Sequence, residues 1–373
     1  MALPVDWPEI APAELSSEAC AILCLATADG AARYLTIGSA DVAATRFKLG
    51  SVAKLVTALV VSALAREGRL TLDAPLLPSR SVTLRHLLTH AAGLPDDALP
   101  AALDLSAALA SDWLPPGAAF SYANLGFAVV GAQLEHLTGQ PLRELARQAV
   151  FAPYGISGAT LDNGLAAAAG GLTATAADAA RLLTGLLRHP DHLAALLETP
   201  VAVPSRLATV AGLGCFQRRR GGIRLVEHEG FTGDAACAAC LVPDEGWGYA
   251  LLTRGWPRRL RRTLDQIEAA WLGPPPAAAA VKLARASREI HARYAGDYAN
   301  GPRKLRIVSG DDTLYLERQG ARVPLVQATE TQLAIALPLP DKPSEIVALM
   351  DDAGQAMCLY PFGSLRALRR VQA

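Results

Sequence analysis

The chain is 373 residues long, 51% hydrophobic and 19% charged, a balance that supports a large buried core and excludes a disordered chain. Lys+Arg and Asp+Glu both number 35, and a formal charge of zero removes the electrostatic basis for a nucleic-acid or anionic-membrane partner. The opening segment, with Pro4, Asp6, Pro8 and Glu9, lacks the basic start and apolar run of a secretory signal, so a cytoplasmic protein is expected.

Residues 20–38 read as two strands about an Ala28-Asp29-Gly30 turn, and Thr45–Leu49 as a third extended piece leading into Gly50. From Ser51 to about Glu67, Val52, Leu55, Val56, Leu59, Val60 and Leu64 recur at helical spacing until Gly68 ends the run. Its strongly apolar part, Leu55–Ala65, is well short of the ~20 residues that a bilayer requires. Residues 75–165 are expected to be mainly helical, with one helix over Thr83–Thr89 and another over Ala123–Leu137 that stops at Thr138-Gly139. Thr175 caps a further helix, with Asp178 favourably placed in its first turn.

Ile223–Gly230, Ala235–Val242 and Gly248–Thr253 predict an antiparallel meander, after which Pro257 opens a helix to about Trp271. The basic runs Arg218-Arg219-Arg220 and Arg258, Arg259, Arg261 and Arg262 read as solvated surface. Gly273-Pro274-Pro275-Pro276 and the alanines after it mark a linker over 273–285, dividing a larger unit (1–272) from a smaller one (286–373). In the smaller unit, short alternating runs such as Lys304–Val308, Thr313–Arg318, Gln332–Leu337 and Ile346–Met350 predict an all-β module, a barrel or a sandwich.

The six cysteines are scattered, and Cys237-Ala-Ala-Cys240 falls in a strand, where positions i and i+3 face opposite sides. They are expected to be reduced and mostly buried. His86, His90, His136, His189, His192 and His291 show no metal-ligand spacing, and His86 and His90, four apart, have no acidic partner between them, so neither metal nor cofactor is expected.

Three motifs carry the chemistry. Ser51 and Lys54 are three apart at a helix start, on one face, where a lysine of lowered pKa can activate a hydroxyl nucleophile. The free N–H groups of that helix start sit where a tetrahedral oxyanion would form. Tyr122 can shuttle a proton between nucleophile and leaving group, and Asn124 can hold Lys54 and a substrate carbonyl. His228 and Gly230 share one face of a strand. The glycine leaves room for a substrate along the strand edge, and the Phe231 N–H can pair with that of Ser51 as an oxyanion hole.

With these residues in view, Phe47-Lys-Leu-Gly-Ser-Val-Ala-Lys54 resembles the nucleophile region of the penicillin-recognising serine hydrolases related to class C β-lactamases, D-alanyl-D-alanine carboxypeptidases and family VIII esterases. Leu84–His90 with Gly93-Leu94-Pro95, Phe120–Gly126, and Gly170-Gly171-Leu172 before Asp178 resemble the same family over roughly residues 20–256. The resemblance implies an α/β (α+β) fold: an antiparallel sheet flanked by helices, an all-helical subdomain, and a lipocalin-like appendage at the C-terminus. It implies Ser51 as the acylated nucleophile, Lys54 and Tyr122 as acid–base partners, and Asn124, His228 and Gly230 as substrate-lining residues. It implies a small-molecule or short-peptide ester or amide as substrate, with transfer to an amine or alcohol, or a non-catalytic binding role, as alternatives. His-x-Gly in place of Lys-Thr-Gly points to the esterase and peptidase relatives. In carboxylate-binding members the middle residue of this motif touches the substrate carboxylate. Glu229 stands there and would repel one, although strand alternation puts it opposite His228 and Gly230.

Overall fold

The computed structural model describes residues 19–95, 104–205, 208–255, 260–275, 282–318, 320–336 and 344–371. The N-terminal segment read for a signal, Pro257, Arg258, Arg259 and the linker residues 276–281 lie outside the described residues.

The strands in chain order are β1 (Cys20–Thr27), β2 (Ala32–Ile37), β3 (Phe47–Gly50), β4 (Thr160–Leu161), β5 (Leu172–Ala174), β6 (Val201–Ser205), β7 (Ala208–Ala211), β8 (Phe216–Arg220), β9 (Ile223–Thr232), β10 (Ala235–Val242) and β11 (Trp247–Arg254). The helices among them are α1 (Ala53–Arg66), α2 (Leu84–Leu88), α3 (Leu105–Leu109), α4 (Asn124–Thr138), α5 (Leu142–Ala146), α6 (Ala167–Gly170), α7 (Ala176–Arg188), α8 (Pro190–Leu197) and α9 (Leu260–Leu272). Eight strands form one antiparallel sheet in the order β2-β1-β11-β10-β9-β8-β7-β6, and β3, β5 and β4 make a small sheet beside it.

The central strands are covered on both faces, which is why β1 (CAILCLAT) and β10 (AACAACLV) read as continuous apolar runs rather than alternating ones. On one face Val226, Cys237, Ala239 and Leu241 join α1, α4 and α7 in the main core. On the other, Leu225, Ala238, Cys240 and Tyr249 pack against Leu260, Leu264 and Ile267 of α9. Thr175 and Asp178 close a reciprocal capping box at the start of α7: Asp178 N–H donates to Thr175 Oγ1 (3.1 Å) and Thr175 N–H to Asp178 Oδ2 (3.2 Å). All six cysteines are buried and free.

One expectation fails here. Arg219 is exposed as expected, but Arg220 is buried and Arg218 half-buried between the sheet and α9, where they pair with Glu227 and Glu268. Arg261 joins the same network through Glu227, Glu229 and Glu268. Each cation therefore meets a carboxylate, as burial of charge requires.

Beyond the linker, α10 (Arg288–Tyr294) leads into β12 (Gly296–Asn300), β13 (Arg303–Ser309), β14 (Leu314–Arg318), β15 (Ala321–Thr329), β16 (Gln332–Ile335), β17 (Glu345–Met350), β18 (Ala356–Pro361) and β19 (Leu368–Arg370). These eight strands pair with their chain neighbours and close into a barrel. The barrel packs against the Phe120–Tyr122 stretch and the β6–β8 edge of the main sheet. Tyr360 OH donates to Phe120 C=O (2.6 Å), Tyr122 N–H donates to Leu365 C=O (2.9 Å), and Phe120, Tyr122 and Phe216 share a core cluster with Cys358, Tyr360 and Ala367.

Candidate active site

Strand β3 delivers Ser51 to the threshold of α1, whose N-cap is Val52, so Lys54 falls one turn later with its side chain turned into the core. The Lys54 side chain is fully buried and makes three contacts: Ser51 Oγ at 3.0 Å, Asn124 Oδ1 at 2.8 Å and Ala169 C=O at 2.6 Å. Burial, and secondarily the positive charge of Arg366, hold its pKa well below the ordinary lysine value. A neutral amine has two N–H bonds and one lone pair. Asn124 Oδ1 and the Ala169 carbonyl can only accept, so when Lys54 is neutral they take both N–H bonds and leave its lone pair for the Ser51 hydroxyl. Tyr122 OH donates to the same Ser51 oxygen at 2.8 Å.

Asn124 is the first residue of α4, and Tyr122 lies on the extended stretch before it. The Leu365 carbonyl holds the Tyr122 backbone, and the His90 ring sits 4.3 Å from the Tyr122 ring. His90 Nδ1 accepts from Ala123 N–H at 3.1 Å, and burial holds the imidazole far below its usual pKa, in the neutral form.

On the strand side, His228 Nδ1 lies 2.7 Å from the Glu229 carbonyl. A carbonyl only accepts, so Nδ1 carries the hydrogen and Nε2 keeps its lone pair. Burial pushes the His228 pKa down to about 3, and Nε2 is buried without a hydrogen-bond partner among the described residues. Gly230 is required by distance: a Cβ there would stand 1.9 Å from Leu49 C=O and 3.0 Å from Ser51 N. Gly50, at φ +51°, is the reciprocal close approach, its would-be Cβ 2.8 Å from Phe231 N. Two glycines thus let β3 and β9 bring the Ser51 and Phe231 amides to the same place. The Phe231 side chain is 55% exposed, so this residue contributes through its backbone.

Glu229 borders the cavity beside Ser51, but its side chain is turned from the nucleophile. Its side chain lies on the α9 face of the sheet, with Oε1 2.8 Å from Arg261 Nη1, so the expected repulsion of a substrate carboxylate loses its basis. Strand alternation prevails over the motif position.

Ser51, Tyr122, Asn124, His228, Glu229 and Phe231 line a cavity of about 440 Å³, to which Phe216, Leu365 and Arg366 also contribute. The Arg366 guanidinium carbon sits 5.0 Å from the centre of the Tyr122 ring. Sequence reasoning missed Phe216, Leu365, Arg366 and the support from His90. The two barrel residues carry no local motif, and only the packing of the units brings them to Ser51.

Residues 27–270 match the Beta-lactamase family. The chain belongs to the Beta-lactamase family. Penicillin-binding protein 4 of Amycolatopsis lactamdurans is 35% identical over 132 residues, 30% of this chain and 34% of that protein. A D-aminopeptidase of Cereibacter sphaeroides is 41% identical over 66 residues, 18% of this chain and 12% of that protein. The chain therefore spans about a third or less of these curated relatives. The solved structure of SurE with D-Leu aligns over 94% of this chain and 95% of that one, at 26% identity and a TM-score of 0.78. An alignment over 94% of this chain takes in the barrel as well as the larger unit.

Proposed function

We propose that this member of the Beta-lactamase family cleaves an ester or amide through a Ser51 acyl-enzyme, and that the acyl group ends in a D-configured residue. The observation that carries the mechanism is the convergence on Ser51 Oγ of Lys54 Nζ at 3.0 Å and Tyr122 OH at 2.8 Å, with the Lys54 pKa lowered by burial. In the first step Lys54 Nζ takes the Ser51 proton as Oγ bonds to the substrate carbonyl carbon, and the carbonyl oxygen becomes an oxyanion between the Ser51 and Phe231 amides. Tyr122 passes a proton to the leaving amine or alkoxide as the scissile bond breaks, and recovers one from Lys54. Water then attacks the acyl-enzyme by the reverse route.

The D configuration is supported by SurE with D-Leu and by the D-aminopeptidase relative. The test compares kcat/KM for N-acetyl-D-leucyl and N-acetyl-L-leucyl p-nitrophenyl esters, with Ser51→Ala as control. A D preference of tenfold or more, lost with Ser51, is expected. Equal rates for the two enantiomers would remove the stereochemical part and leave the acyl-enzyme standing.

A second reading replaces water by an amine, which makes the protein an acyltransferase or peptide cyclase. What favours it is the cavity beside Ser51: Leu365 and Arg366 of the barrel narrow it, and the unprotonated Nε2 of His228 can accept from an incoming N–H. Product masses with and without added amines separate the two acceptors.

A further inference from the structure

The corner between α7 and α8 carries a second cluster of chemistry, and none of its residues lines the catalytic cavity. His189 ends α7 and is the N-cap of α8, Pro190 fixes the first position of α8, and Asp191 and His192 follow. N-cap and N3 side chains face one another across a first helical turn, the spacing a capping box uses. Here that spacing stacks the two imidazoles, with centroids 4.8 Å apart and planes 20° apart. One ligand atom from each of His189, Asp191 and His192 lies within 4.8 Å of the other two.

We propose that His189, Asp191 and His192 bind one divalent transition-metal ion of the zinc class, with water completing the coordination. His192 Nε2 and Asp191 Oδ2 are already 3.6 Å apart. A tetrahedral ion with bonds of about 2.0–2.1 Å has ligand–ligand edges near 3.3 Å, so only the exposed His189 ring has to swing inward.

An independent observation concerns the other side of the His192 ring. Its Nδ1 lies 2.6 Å from the hydroxyl of Tyr154, a residue only 9% exposed. When the Nδ1 hydrogen donates to that oxygen, Nε2 is left as a lone pair toward Asp191. This is the outer-shell arrangement that orients metal-binding histidines.

Two features oppose a cation, and both are weak. Arg66 Nη1 sits 3.4 Å from Asp191 Oδ2, with the two side chains 49% and 63% exposed, a surface pair that an ion can displace. The positive end of α8 is met by the negative end of the 13-residue α7 at the same His189. Two imidazoles and one carboxylate favour Zn²⁺, Ni²⁺ or Cu²⁺ over Mg²⁺ or Ca²⁺.

The test is calorimetric titration of the full chain with Zn²⁺ and, separately, Mg²⁺ in a non-coordinating buffer. One-to-one Zn²⁺ binding below about 100 μM with no Mg²⁺ binding is expected. His189→Ala and His192→Ala should each weaken it by more than tenfold, and Tyr154→Phe by a smaller factor. Arg66→Gln should bind several-fold more tightly, because it frees Asp191. Each variant is checked by its melting curve without metal, and any that is unfolded is replaced by the corresponding glutamine substitution. No binding up to 1 mM Zn²⁺, or binding unchanged in both histidine variants, would overturn the site. Arg66→Gln binding no tighter than the parent would remove Asp191 as a ligand.

Discussion

Alanine at Gly230 tests the close approach of β9 to the nucleophile. The added Cβ would sit 1.9 Å from the Leu49 carbonyl oxygen, 2.9 Å from its carbon and 3.0 Å from Ser51 N. Packed atoms at such contacts stand above 3 Å, so β9 has to retreat from β3 by about 1 Å. That retreat carries the Phe231 N–H away from the Ser51 N–H. A misplacement of about 1 Å near reacting atoms costs about 10²-fold, and loss of one oxyanion donor roughly 10²–10³-fold, or about 2.7–4 kcal/mol. Gly230→Ala should therefore lower kcat/KM on a short p-nitrophenyl ester by 10²-fold or more, mainly through kcat. The assay is steady-state kinetics, with circular dichroism to establish that the variant is folded. Phe231→Ala is the control: its side chain points outward and only its amide is used, so less than a tenfold change is expected. A folded Gly230→Ala within threefold of the parent would refute the oxyanion geometry.

Three further outcomes follow from the same site. Lys54→Met and Tyr122→Phe should each lower kcat/KM by roughly 10²–10⁴, with melting temperatures within a few degrees of the parent; a large loss of stability with activity per folded molecule intact would make them structural residues. Arg366→Gln removes a positive charge that disfavours the Lys54 ammonium, so the Lys54 pKa rises and the acid limb of the kcat/KM–pH profile moves to higher pH; an unmoved limb would contradict Lys54 as the base. His228 and His90 are neutral in the native protein, with pKa values below the unfolded value of ~6.5, so stability is full above that pH and falls as the pH drops below it, by about 1.4 kcal/mol per unit for each histidine. Urea unfolding between pH 7 and 4 should show that slope, and His228→Gln should flatten it by one histidine's share.

The sequence carried the site where chemistry and local periodicity coincide. Ser51 and Lys54 on one helix face, Asn124 at the start of α4, and His228 with Gly230 on one strand face all follow from spacing. The capping box at Thr175 and Asp178, and the β9–β11 meander, were legible for the same reason. What was hidden depends on tertiary packing. Strand β8 looks like a solvated run, as Arg219 is, because the carboxylates that pair with Arg218 and Arg220 come from β9 and α9. Glu229 was misdirected by the motif position, and Arg261 of α9 is the partner that holds it away. Leu365 and Arg366 lie more than 300 residues after Ser51, in a barrel whose docking no local pattern encodes.

The most direct measurement is mass spectrometry of the protein quenched during turnover of an N-acetyl-D-leucyl ester, followed by peptide mapping. The expected result is an added N-acetyl-leucyl mass on the peptide containing Ser51, enriched in a His228→Gln variant if deacylation is slowed there, and absent from Ser51→Ala, which should also have no turnover. Sustained turnover by Ser51→Ala, or an acyl mass mapped to another residue, would contradict Ser51 as the nucleophile.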